Sequence, residues 1–70
     1  MIDLTLNGQP HTLALDPPTT LAEVLQHLDV PCARGVAVAL NDRVIPKSTW
    51  ETTPVRPSDR LEVIRATQGG

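Results

Sequence analysis

Seventy residues with 40% apolar side chains make one small domain, and a chain this short buries only about 60% of its unfolded surface. Phe and Tyr are absent and Trp50 is the only aromatic residue, so the core is a thin aliphatic layer with little room for pockets of roughly 300 Å³ and more that enclose small molecules. The net charge of −2, with both signs scattered, provides neither a basic stripe for phosphates nor an aromatic platform for bases, which argues against a nucleic-acid partner.

Ile2, Leu4 and Leu6 alternate with Asp3, Thr5 and Asn7, the period of a half-buried strand. Asn7-Gly8 follows, and this pair favours the positive backbone angles of a tight hairpin turn. Leu13 and Leu15, alternating with Thr12, Ala14 and Asp16, predict a second strand that ends at Asp16-Pro17-Pro18, since proline cannot donate to a ladder. A helix follows. Thr20 with Glu23 three residues later is a capping-box pattern that would satisfy two N–H groups of the first turn. Leu21, Val24, Leu25 and Leu28 fall on one helical face, while Glu23, Gln26 and His27 point elsewhere, and Val30-Pro31 is the expected stop. Val36 to Leu40 is apolar at every position, as expected of an inner strand covered on both faces. Asn41-Asp42 predicts a turn into the short segment Arg43 to Ile45, which Pro46 stops. Residues Lys47 to Arg56 carry no periodicity and read as irregular, and Pro57-Ser58-Asp59 reads as another turn. Leu61 to Ala66 is the last strand, ahead of a tail too short and glycine-rich to order alone.

An amphipathic helix needs one apolar sheet face to cover. A hairpin, a helical crossover and further strands predict an α+β, ubiquitin-like β-grasp: a mixed sheet of four to five strands covered on one face by one main helix. In that topology the first and last strands lie parallel at the sheet centre. The expected organisation is a domain over residues 1–66 and a flexible tail over 67–70, with no internal repeats.

Most of the polar residues form no chemical constellation. His11 and His27 have no Cys or carboxylate at metal-ligand spacing, so no metal site is expected. Cys32 lacks an adjacent base or a helix N-terminus to lower its pKa and reads as an incidental thiol. The glycines Gly8 and Gly35 are isolated turn residues and not a phosphate loop. A single cysteine excludes an internal disulfide and fits a reducing compartment. The longest apolar run, Gly35 to Leu40, is too short to span a bilayer, and the first residues lack the basic, apolar pattern of a signal segment, so none is expected. The expected location is cytoplasmic.

The C-terminus differs. The chain ends Arg65-Ala66-Thr67-Gln68-Gly69-Gly70 directly after a core strand. With average glycine usage near 7%, two terminal glycines arise by chance in roughly half a per cent of chains. A backbone without Cβ atoms can thread a narrow channel, and a terminal glycine presents an unhindered carboxylate. A carboxylate is a poor electrophile, so its use as a carrier requires activation as a mixed anhydride with AMP. Transfer of sulfide onto that anhydride yields a thiocarboxylate with a soft, ionised, nucleophilic sulfur. On this reading the chain is the handle and another enzyme is the catalyst.

The stretch Gly35-Val36-Ala37-Val38-Ala39-Leu40-Asn41-Asp42-Arg43-Val44-Ile45-Pro46-Lys47-Ser48-Thr49-Trp50 resembles the thiamine-biosynthesis sulfur carriers of the ThiS family, in which an apolar strand ending in Asn leads to an aliphatic pair, Pro, a basic residue and Trp. The ending, Asp59-Arg60-Leu61-Glu62-Val63-Ile64 through Gln68-Gly69-Gly70, is similar as well. The resemblance implies that Gly70 is adenylated by an ATP-dependent, ubiquitin-activating-like adenylyltransferase and converted to a thiocarboxylate. Its sulfur, ultimately from cysteine, would pass to thiazole synthase. It also implies that the carrier is not itself an enzyme and binds no cofactor, ATP being consumed by the activating enzyme. Gly69, Gln68 and Thr67 would lie in the partner's channel, and Trp50 would contribute to partner binding or simply pack. The sequence departs from the family pattern at Ser58, where a turn glycine is common, and in the individual loop Pro31-Cys32-Ala33-Arg34.

Three other readings compete. A molybdopterin-synthase-type small subunit uses the same tail chemistry, but the Trp50 pattern and the polar Thr67-Gln68 argue against it. A covalent protein modifier would join Gly70 to a lysine. A passive β-grasp binding module would have an irrelevant tail, because a fold alone does not fix a function. The sheet face opposite the helix, around Ala37, Ala39 and Trp50, is the expected docking surface beyond the tail.

Overall fold

The alternation of the first residues becomes a hairpin. β1 (Ile2–Leu6) and β2 (Gln9–Leu13) pair antiparallel, Ile2 opposite Leu13 and Leu6 opposite Gln9, around Asn7 at φ 49° and Gly8 at φ 79°. Two successive positive φ angles give the turn the twist that matches its strands. In the computed structural model, which describes residues 1–30 and 35–65, β2 starts directly after the turn and stops at Leu13, earlier than the alternation through Leu15 predicts. Pro10 is tolerated because β2 is an edge strand. The N–H of its partner Thr5 is turned away toward Asp59 O (3.0 Å), so the proline's missing donor would have faced solvent.

β3 (Thr19–Thr20) leads into α1 (Leu21–His27), whose buried residues are Leu21, Val24 and Leu25. The start is capped as expected: Thr20 Oγ1 accepts the Glu23 N–H at 3.3 Å. The reciprocal half of the box differs. The Glu23 carboxylate accepts the hydroxyls of Thr19 (3.4 Å) and Thr20 (3.3 Å), and the Leu21 N–H donates to Thr53 O at 2.8 Å. The helix also stops before the proline. Asp29 takes φ 59°, its N–H donates to Gln26 O, and the Val30 N–H reaches back to Leu25 O at 2.9 Å. This is a Schellman closure with Asp at the position usually given to Gly, and Val30 packs back onto the core.

β4 (Val36–Leu40) turns through Asn41 (φ 52°) and Asp42 (φ 69°) into the two-residue β5 (Arg43–Val44). β4 is an inner strand, but Ala37 is exposed, so the strand is not covered on both faces along its length. The segment read as irregular holds two elements: a 3₁₀ helix, Lys47–Thr52, and β6 (Pro54–Val55), which pairs antiparallel with β3. β7 (Arg60–Arg65) closes the fold, and the expected domain limit at residue 66 lies outside the described residues.

The main sheet has the order β2-β1-β7-β4-β5, mixed, with β1 and β7 parallel and β7 at the centre. This is the β-grasp arrangement. Ile2, Leu4, Val38, Leu40 and Leu61 from the sheet meet Leu21, Val24 and Leu25 from α1, with Leu13, Trp50 and Val55 completing the core. Each of the fully covered aliphatic side chains contributes about 1.5–3 kcal/mol relative to exposure. Among the described residues, no helix is long and apolar enough to cross a membrane.

Ser58 sits at φ 70°, where a side chain is strained, with its N–H donating to Asp3 O at 2.6 Å. Ser58→Gly relieves that strain at some entropic cost in the unfolded chain, so a net gain of about 0.5–1 kcal/mol is expected. A urea midpoint that rises with an unchanged slope would show it; an unchanged or lower midpoint would mean the turn is already relaxed.

Candidate functional site

The tail is presented by the best-held strand of the sheet. β7 pairs with β4 over five residues, from Val36 opposite Arg65 to Leu40 opposite Leu61, and with β1 through Thr5–Arg60 and Leu6–Leu61. Leu61, 1% exposed, and the half-buried Val63 turn toward α1, while Glu62 and Ile64 turn to the open face.

The base of β7 is fixed by a local polar network. The Asn41 N–H donates to Arg60 O at 2.8 Å, and the Arg60 N–H donates to Asn41 Oδ1 at 2.9 Å. Asn41 Nδ2 reaches Asp59 Oδ1 (3.1 Å), Asp59 Oδ2 accepts the Arg56 N–H (2.8 Å), and Arg60 Nη2 pairs with Asp42 Oδ2 (2.9 Å). At the other end, the Asn7 N–H donates to Leu61 O and the Val63 N–H donates to Asn7 Oδ1, both at 2.9 Å. The hairpin turn thus uses its side chain to extend the β1–β7 ladder by one step. β7 ends at Arg65, and the expected site residues Thr67, Gln68, Gly69 and Gly70 lie outside the described residues, as does Cys32. Five further residues reach at most about 17 Å from Arg65.

Trp50 is placed differently from the docking expectation. It belongs to the 3₁₀ helix on the α1 side of the sheet, is 4% exposed, and its Nε1–H donates to Ile45 O at 2.9 Å. A ring covered to that extent offers a partner almost no surface; its role here is packing, with the indole donor satisfied. Ala37 and Ala39 do lie on the face opposite the helix, where they pair across strands with Ile64 and Val44. Val44 is 67% and Ile64 56% exposed, so this face carries an apolar patch that sequence reasoning located only by its two alanines. Alternation along Leu61 to Arg65 was the available signal for Ile64.

Among the described residues, no three His, Cys, Asp or Glu side chains come together to hold a metal. His11 and His27 are both exposed. The Asp16 carboxyl is held below its ordinary 3.8 by a hydrogen bond from the Met1 ammonium at 2.7 Å and by that group's charge. The pair is exposed and ties the first residue to the end of the hairpin. Two depressions of about 380 Å³ are surface grooves, one between the end of α1 and the end of β7, the other along β1 and β2.

Known proteins share this arrangement. A crystal structure of the thiamine biosynthesis protein ThiS from Geobacter metallireducens superposes with a TM-score of 0.84 and 32% sequence identity, covering 99% of this chain and 100% of that one. A sulfur carrier protein ThiS from Thermus thermophilus is 38% identical over 65 residues, spanning 93% of this chain and 95% of its own length. The uncharacterized protein ycf40 of Pyropia yezoensis is 36% identical over 69 residues, 99% of this chain and 93% of its own. The ThiS family profile matches residues 4–70, from the second buried residue of β1 through the last glycine, and the chain belongs to the ThiS family.

Proposed function

We propose that this chain is a sulfur carrier of thiamine biosynthesis and that its reactive group is the Gly70 carboxylate. The supporting observation is that the family likeness runs without interruption through Gly69-Gly70, directly beyond a strand anchored on both edges. In the first step a Gly70 carboxylate oxygen attacks the α-phosphorus of ATP, and pyrophosphate leaves. A persulfide sulfur derived from cysteine then attacks the acyl adenylate and releases AMP. A thiol cleaves the resulting acyl disulfide, forming a disulfide with the donor's sulfur and leaving the thiocarboxylate. The sulfur bonds to the substrate held by thiazole synthase, and an oxygen of that substrate or of water attacks the acyl carbon as its C–S bond breaks, so the tail leaves as a carboxylate again. The protein supplies reach and an unhindered terminus, and an ATP-dependent adenylyltransferase supplies the catalysis. Gly69, Gln68 and Thr67 are the segment that lies in each partner's channel, where the absence of a Cβ at Gly69 and Gly70 allows close approach to the reacting phosphate.

The same tail chemistry can serve a molybdopterin-type acceptor, so the acceptor is the point to test. Thiocarboxylated carrier is incubated in parallel with thiazole synthase plus its deoxysugar phosphate and glycine-derived imine, and with a molybdopterin-synthase catalytic subunit plus its precursor. Sulfur appearing in thiazole alone is the expected result. Transfer only to the molybdopterin precursor would replace the thiazole assignment.

A further inference from the structure

In a β-strand, successive residues point their N–H and C=O groups to opposite edges. Leu61 O and the Val63 N–H face β1, since both bond to Asn7. The Val63 carbonyl and the Arg65 N–H therefore face the same edge. The β1 register stops at Leu6–Leu61, because the chain turns away at Asn7-Gly8, so among the described residues no strand continues the ladder there. The groove of about 380 Å³ at the end of β7 runs beside this edge. It is lined by half-buried Leu6, Leu28, Val30 and Val63, with Asn7 at one side and Arg65 at the other, and no acidic side chain among them.

We propose that this groove seats an extended segment of the ATP-dependent enzyme that activates Gly70, added as a short strand to the open edge of β7. The segment pairs its backbone with Val63 O and the Arg65 N–H, lays an apolar side chain over Leu28 and Val30, and places a carboxylate against the Arg65 guanidinium. An open ladder edge is a template for a backbone of this kind, and the adjacent apolar floor adds side-chain selectivity. The activating enzyme is taken as the occupant because its catalytic centre must hold Gly70, at most about 17 Å from Arg65, which brings its surface to the end of β7. The proposal rests on the reading of Gly70 as the activated group.

The test is amide hydrogen exchange on ¹⁵N-labelled full-length chain, free and with the organism's activating enzyme and ATP, alongside the mass of the Gly70 adduct. The Arg65 amide is expected to exchange at least about tenfold more slowly in the complex, and Arg65→Glu, an exposed change that leaves the fold intact, to raise the KM for the carrier about tenfold with kcat retained. Adenylation with the Arg65 amide still exchanging at its free rate would overturn the seat and leave the carrier reading standing. Protection of Arg65 without any adenylation would keep the seat and remove the carrier reading.

Discussion

Deleting Gly70 is expected to lower adenylation and sulfur transfer by at least about 100-fold while leaving the unfolding transition unchanged. The deletion moves the terminal carboxylate back by about 3.5 Å, one residue of extended chain. Reacting atoms must meet at roughly 3–3.5 Å, and a misplacement of even 1 Å can cost about 100-fold, so a shortened tail cannot be rescued by tight binding elsewhere. Stability should not follow, because β7 ends at Arg65 and the core it feeds, from Leu61 to Ile2 and Val24, is complete without the tail. Gly70→Ala keeps the length and adds a methyl group, so a smaller loss is expected, confined to the activation step. Full adenylation and sulfur transfer in the deletion variant would mean that the exact position of the terminal carboxylate does not govern the reaction.

Trp50→Ala carries the largest expected loss of stability. Truncating a buried Trp costs about 3–5 kcal/mol, and here it also removes the donor to Ile45 O. A domain of this length holds roughly 3.5–10 kcal/mol in all, so the variant should be largely unfolded or close to it at 37 °C. Trp50→Phe keeps a ring in the core and loses only the hydrogen bond and some volume, with a cost of about 1–2 kcal/mol and retained sulfur transfer. Urea unfolding followed by far-UV circular dichroism reads both. An Ala variant that folds normally but no longer engages its enzymes would return Trp50 to the partner surface.

The elements that could be read from sequence are those whose signal is local and repeated. Alternation from Ile2 to Leu6 with Asn7-Gly8 is enough for the hairpin, and four apolar residues on one face are enough for α1. The parallel β1–β7 pair followed from topology, since a helix after a hairpin must return to the same sheet. What escaped depends on contacts made at long range or on a single residue. β3 and β6 are two residues each and exist because they meet each other, so neither leaves a period. The 3₁₀ helix contains three Thr or Ser residues and one buried side chain, Trp50, which gives no stripe. The helix end turned on Asp29 adopting a positive φ, a conformation Asp tolerates but does not announce. The candidate site, Gly69-Gly70, lies outside the described residues, and its reading rests on the sequence and on the family likeness that runs through residue 70. The apolar face of Val44 and Ile64 was harder, because β5 is too short for alternation to show which side of the sheet Val44 takes.

The central claim is that Gly70 carries sulfur, and intact-protein mass spectrometry after incubation with ATP, the host's activating enzyme and a cysteine-derived sulfur source tests it most directly. The account predicts a mass gain equal to the exchange of one oxygen for one sulfur, located on the C-terminal peptide that contains Gln68, Gly69 and Gly70. An unchanged mass, with the enzyme mixture shown to be active on another carrier, would contradict it.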